Sequence, residues 1–176
     1  MNFFGNPFKR CQRIQKRITE RCCTAYRSTG ASVTYTRMEG FTDLSNTKNP
    51  SEYSRRYVDE KSDRVSVSGY APSTAYAFDR YKGNPVLDDI ISIHEGEKIG
   101  GEASRTIIQV DLTTAQEGTG GAITATAIKR DYSVIPDSDG GSNDALTYSG
   151  NFRAAGAPET VTVSTSDDWQ TVTIVE

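Results

Sequence analysis

A side-chain pattern that repeats every two residues constrains this chain most, because that period suits the two faces of a strand and cannot settle on a helix. Val33 and Tyr35 alternate with Thr34 and Thr36, Val65 and Val67 share a face, and Tyr76 and Phe78 share another, with small or polar residues opposite. Further strand patterns span Arg105–Leu112, Ala122–Pro136, Ala145–Ala154, Thr160–Ser164 and Trp169–Val175. Ile128, Tyr132 and Val134 are expected to face Leu146, Tyr148 and Phe152 across a hairpin, with Asp137–Asp144 as its acidic turn. Gly69–Ser73 reads as a corner, since Pro72 would block a central ladder position.

The clearest helical spacing runs from Pro85 to about Glu97. Asn84 is a suitable N-cap and Pro85 suits the first helical position. Asp88 and Asp89 meet the positive end of the helix dipole, and Lys98 with Gly100 or Gly101 ends the segment. Leu87, Ile90, Ile91 and His94 form its packing stripe. About eight strands with this one helix predict a mainly β fold, a β-sandwich or partly closed barrel flanked by one α-helix. At 176 residues the chain has the length of one domain.

Residues 1–28 form a basic N-terminal arm ahead of a body at 29–176. Lys9, Arg10, Arg13, Lys16, Arg17, Arg21 and Arg27 stand against Glu20 alone, a net of +6; with −3 for the chain, the body carries −9. Phe8, Cys11, Ile14, Ile18 and Cys22 recur at helical spacing, so residues 8–26 read as a basic helix. Such an arm could neutralise phosphates, dock on the acidic face of a sister subunit, or stay solvated; the −9 body argues against nucleic acid. Cys11, Cys22 and Cys23 are too few and too unevenly spaced for a disulfide framework or a zinc site, and read as reduced thiols. No apolar run reaches the roughly eighteen residues of a membrane span. The opening MNFFGNPFKRCQR reverses the order of a secretory signal, so a soluble, non-exported protein is expected.

Between the early strand patterns, about residues 39–63, lies a polar connection too long for a compact domain to need. From Ser51 to Arg64, Glu52, Asp59, Glu60 and Asp63 balance Arg55, Arg56, Lys61 and Arg64, interleaved with Tyr53, Tyr57 and Val58. Zero net charge with retained aromatics is not the composition of disorder, and it predicts a surface that orders against a partner of complementary charge. Enzyme chemistry has little support. His94 is the sole histidine, and its place on the helix stripe fits a satisfied, partly buried side chain better than a catalyst. Asp137, Asp139 and Asp144 lack a calcium-loop register, and Gly118–Gly121 lacks the Lys of a phosphate loop. No enzyme activity, cofactor or metal is expected.

The run GFTDLSNTKNPSEYSRRYVDEKSDRVSVSGYAPSTAYAFDRY, residues 40–81, resembles tail tube proteins of long-tailed bacteriophages and related prophages. So do NPVLDDIISIHEGEKIG (84–100), RTIIQVDLT (105–113) and IKRDYSVIPDSDGGSNDALTYSGNFRAAG (128–156), collinear over about residues 30–176. The basic, cysteine-containing start departs from that pattern. The resemblance implies a virion structural protein, a major tail protein of a siphovirus-like, non-contractile tail. Its hexameric rings would self-assemble into a stacked tube whose inner β-sheets join into one multi-subunit barrel for DNA ejection. The long connection becomes an inter-subunit loop, with Glu52, Tyr53, Arg55, Arg56, Tyr57, Asp59, Glu60 and Lys61 as contact residues. Implied partners are further copies, tape-measure, tail-tip and tail-terminator proteins, and viral DNA passing an acidic lumen without tight binding, with no membrane. Assembly would occur in the host cytoplasm, and the product would reside in the virion tail. The alternative is a monomeric β-sandwich binding module, for virion decoration or carbohydrate; a nucleic-acid-binding protein led by the basic arm is a third possibility.

Overall fold

The computed structural model describes residues 22–26, 34–118, 122–141 and 145–175. The fold is mainly β, with its sheets in a sandwich-like arrangement and one α-helix among the described residues. Its strands are β1 (Cys22–Tyr26), β2 (Thr34–Arg37), β3 (Phe41–Thr47), β4 (Pro50–Arg55), β5 (Arg64–Tyr70), β6 (Ser73–Asp79), β7 (Ser104–Glu117), β8 (Ile123–Gly141), β9 (Leu146–Ala154), β10 (Glu159–Thr165) and β11 (Thr171–Val175). Helix α1 spans Pro85–Glu95, and a 3₁₀ turn at Gly100–Ala103 leads into β7. The described residues form two compact, discontinuous units: those within 22–38, 106–129 and 158–175 in the first, those within 39–105 and 130–157 in the second.

In the first unit the strands pair in the order β10, β11, β2, β1, β7, β8, and β8 pairs again with β10, so the ladders make a circuit. Alternation supplies its core: Tyr35, Ile108, Val110, Val163 and Val172 are buried with Trp169, and the short Ala125 and Ala127 complete the cluster. Residues 22–26, placed at the end of a basic helix by their spacing, are strand: Thr24 pairs with Arg37 and with Ile108. The spacing fits a helix only thinly, and ladders on both sides of β1 outweigh it. The rest of that predicted helix lies outside the described residues, with Lys9, Arg10, Arg13, Lys16, Arg17 and Arg21.

The second unit holds a four-stranded antiparallel sheet in the order β8, β9, β6, β3, to which β8 contributes its Tyr132–Gly141 part. Helix α1 belongs to the same unit, beside the face bearing Tyr76, Phe78, Tyr148 and Phe152, all four buried. The predicted acidic turn is shorter than expected, because Gly140 pairs with Thr147 and Gly141 with Leu146. The expected inner face is also only partly right. Tyr132 and Val134 are buried, but Ile128 is 48% and Leu146 40% exposed. Ala125 and Ala127 are buried at odd positions and Tyr132 and Val134 at even ones, so the inward face changes parity where β8 exchanges β10 for β9.

Candidate functional site

The segment expected to be an irregular connection is largely strand. Residues 41–47 are edge strand β3, and β4 with β5 makes a separate two-stranded sheet, leaving residues 39–40, 48–49 and 56–63 without strand. Sequence reasoning missed β3 and β4 because they carry no apolar alternation: β4 is exposed throughout, and β5 everywhere but Gly69. Tyr53, Tyr57, Val58, Val65, Val67 and Tyr70 are all exposed, Val65 to 61% and Tyr70 to 64%. Register places Val65 and Val67 opposite Ser54 and Glu52 on one face, and Tyr53 and Arg55 opposite Ser66 and Arg64 on the other.

A lone two-stranded hairpin is marginal in water, so its own side chains must hold this arm together. Arg56 Nε donates to Asp63 Oδ1 at 2.8 Å. Arg64 Nε donates to Glu60 Oε2 at 2.9 Å, and Arg64 Nη2 makes a second bond to Glu60 Oε1. Tyr57 lies between two guanidinium groups, 5.7 Å from Arg55 and 5.5 Å from Arg64. Arg55 also donates to the Tyr53 hydroxyl at 3.3 Å, and Ser68 Oγ to the Ser51 carbonyl at 3.0 Å. Pairs this exposed contribute only about 0.2–1 kcal/mol each, enough together to bias a marginal hairpin towards its folded form. Four of the eight balanced charges therefore find their partners inside the arm. Glu52, Asp59 and Lys61 make no ion pair among the described residues.

Helix α1 is fixed at both ends. Asn84 Oδ1 accepts from the backbone N–H groups of Val86 and Leu87, as its N-cap position predicts, while its Nδ2 donates to the Glu39 carbonyl at 3.0 Å. Leu87, Ile90 and Ile91 are buried, and so are Val86 and Ile93, which a narrow stripe omits. The helix is capped at Gly96, ahead of the glycines expected to end it. Arg105, 6% exposed, donates from Nε to Asp89 Oδ2 at 2.5 Å and from Nη2 to Asp89 Oδ1 at 2.9 Å. Its Nη1 donates to the carbonyls of Glu102 and Ser104 at 2.8 and 2.6 Å. Nothing in sequence points from Asp89 to Arg105; the contact exists because the 3₁₀ turn brings the start of β7 back beside the N-terminal half of the helix.

His94 lies 2.8 Å from the Tyr76 hydroxyl through Nε2, with its ring edge towards Tyr148. Burial lowers its pKa from the ordinary histidine value, with Asp139 opposing the shift. The imidazole thus favours its neutral form, which shares one hydrogen bond with the Tyr76 hydroxyl. Burial, with Asp137 adding to it, keeps the Tyr76 hydroxyl protonated far above its ordinary range. The Tyr76 ring lies across Gly150, where a Cβ would come within 2.5 Å of the Tyr76 hydroxyl oxygen. Tyr148 donates to Glu95 Oε1 at 3.1 Å, and Arg80 to the same oxygen at 3.3 Å. This is a tie between helix and sheet.

No protein-family model matches the chain, and no curated protein matches it in sequence. Among solved structures it is similar to one described as the anti-feeding prophage (AFP) baseplate, 6-fold symmetrised. The two share 12% identity, and the likeness covers 82% of this chain and 94% of that one, with a TM-score of 0.45.

Proposed function

We propose that this chain is a structural subunit of a bacteriophage-type tail, and that its copies form stacked hexameric rings of the tail tube through which DNA leaves the particle. The sequence resemblance over residues 30–176 leads to this reading. The observation that supports it best is the sheet of the second unit, which ends in β3, a strand paired only with β6 among the described residues. Open edges invite further strands, and natural proteins cover, blunt or join them. Covering β3 of one copy with a strand or loop of the next would carry the sheet around a ring, by the head-to-tail contacts that generate closed rings. The β4–β5 arm would then reach a neighbouring copy, with tape-measure, tail-tip and tail-terminator proteins meeting the tube elsewhere.

The sheet face away from the buried aromatics suits a conduit. Its ladder positions include Ser45, Ala75, Ala77, Ser149 and Asn151, and its charges are Asp43 and Asp79 against Arg153. Short neutral side chains with a slight acidic excess give phosphates little to hold. The role is mechanical, without catalysis. Purified protein, alone or seeded by a tail-tip complex, is expected to form hollow tubes visible by electron microscopy. Persistent monomers on a sizing column, even with initiator and tape-measure proteins present, would overturn the proposal and favour a monomeric binding module.

A further inference from the structure

The β4–β5 arm continues the β3–β6 ribbon. The β3–β6 ladder ends at Thr47 opposite Ser73, and the arm's ladder starts at Pro50 opposite Tyr70. Between them lies a neck of two residues on each strand, Lys48 and Asn49 against Ala71 and Pro72. One backbone bond spans it, from the Ala71 N–H to the Asn49 carbonyl at 3.1 Å. A single bond across two free residues is a pivot. Two further features restrain it. Pro72 has a fixed φ, and its carbonyl accepts from the Ala154 N–H at 3.0 Å, which ties that side of the neck to the end of β9. Asn49 sits in the left-handed region at φ 44°, and from there its Nδ2 lies 3.1 Å from both the Ala71 carbonyl and Ser73 Oγ. Few side chains serve both needs: Asn tolerates the left-handed backbone, and its amide can bridge to the opposite strand.

We propose that Asn49 is the positioning residue of the arm: its carboxamide fixes the angle at which the ribbon leaves the sheet, and with it the arm's ability to meet the next copy. The inference rests on the arm acting between copies. It gives Asn49 a role that burial does not suggest, since the residue is exposed.

Two substitutions separate the backbone from the amide. Asn49→Gly keeps the left-handed conformation and removes both bonds; Asn49→Asp keeps the conformation and an acceptor but cannot donate to the Ala71 carbonyl. Both variants are expected to melt close to the wild type. In residual dipolar couplings of the dilute monomer, the amides of the arm should no longer share the alignment of the sheet. The concentration needed for tube assembly should rise about tenfold, as expected when one orienting hydrogen bond is lost. Variants that keep the common alignment and assemble at the wild-type concentration would overturn the proposal. A third chain, with Ser51–Gly69 replaced by an Asn-Gly turn, tests the reading beneath it. If that armless chain forms tubes as the wild type does, the arm is not an assembly element. If it fails while both Asn49 variants assemble normally, the arm stands and only the role of Asn49 falls.

Discussion

At the scale of single residues, the sharpest consequences are electrostatic. His94 has a lowered pKa in the folded chain, from burial first and despite Asp139. Between that value and the ordinary one of about 6.5 the unfolded chain binds the extra proton, so stability rises with pH through this window. The contribution is complete above pH 6.5 and is lost on acidification. Thermal melts of the wild type should therefore fall between about pH 7 and 5, and His94→Gln should flatten that slope. An unchanged slope would remove His94 as the cause. Asp167 acts at lower pH. Burial works to raise its carboxyl, but hydrogen bonds from Thr171 and Thr165 outweigh it and hold the group below the ordinary carboxylate value. Its stabilisation is present above that ordinary value and disappears as pH falls further, outside the His94 window. The partly buried, bonded state of His94 was readable from its place on an apolar stripe. Its partner was not, because Tyr76 reaches it across Gly150, and the absence of a side chain there has meaning only once the ladder is known.

At the scale of elements, the ion pair of Asp89 with Arg105 ties α1 to the start of β7. Arg105→Ala would leave Asp89 without its bidentate guanidinium, and because that carboxylate keeps some contact with water the expected loss is about 1–3 kcal/mol. Chemical denaturation should show a loss of this size, with hydrogen exchange fastest at the first turn of the helix. Arg105→Met, which keeps the bulk and loses the charge, should be similarly poor while Asp89 is present. Combined with Asp89→Leu it should recover part of the loss. Strands β6 to β11 were legible because one wet and one dry side impose alternation, although β7 and β8 each run five residues past their expected ends. The exceptions have separate causes. β1 is held by neighbours on both sides although its residues continue a helical spacing, and β3 and β4 show no alternation because most or all of their residues are exposed. The tip of β8 reads as a turn by composition, yet the ladder to β9 carries it on to Gly141.

At the scale of the whole molecule, the exposed arm decides what kind of assembly to expect. If balanced charges held copies together, raising the salt from about 0.1 to 1 M, which cuts the screening length from about 10 to 3 Å, should dissolve the tubes. The ion pairs of Arg56 with Asp63 and Arg64 with Glu60 lie within one arm, and the residues left outward include Val65, Val67 and Tyr70. Assembly is therefore expected to hold or strengthen in salt, by turbidity and by electron microscopy, and Val65→Ser with Val67→Ser should weaken it. Dissolution in salt would return the contact to the charges. The arm itself was visible in sequence as a segment out of proportion to its surroundings, whereas its inward pairing became visible only with the register.

The neck has one more consequence. Asn49 and Ala71 are bonded neighbours in space, so everything between them is an insertion whose two ends meet. An insertion of that kind can be lengthened, shortened or exchanged without shifting the β3–β6 register, and variation there need not disturb the core. If copies meet through the arm as proposed, substitutions within it would change which surfaces it fits while leaving the sheet that carries it intact.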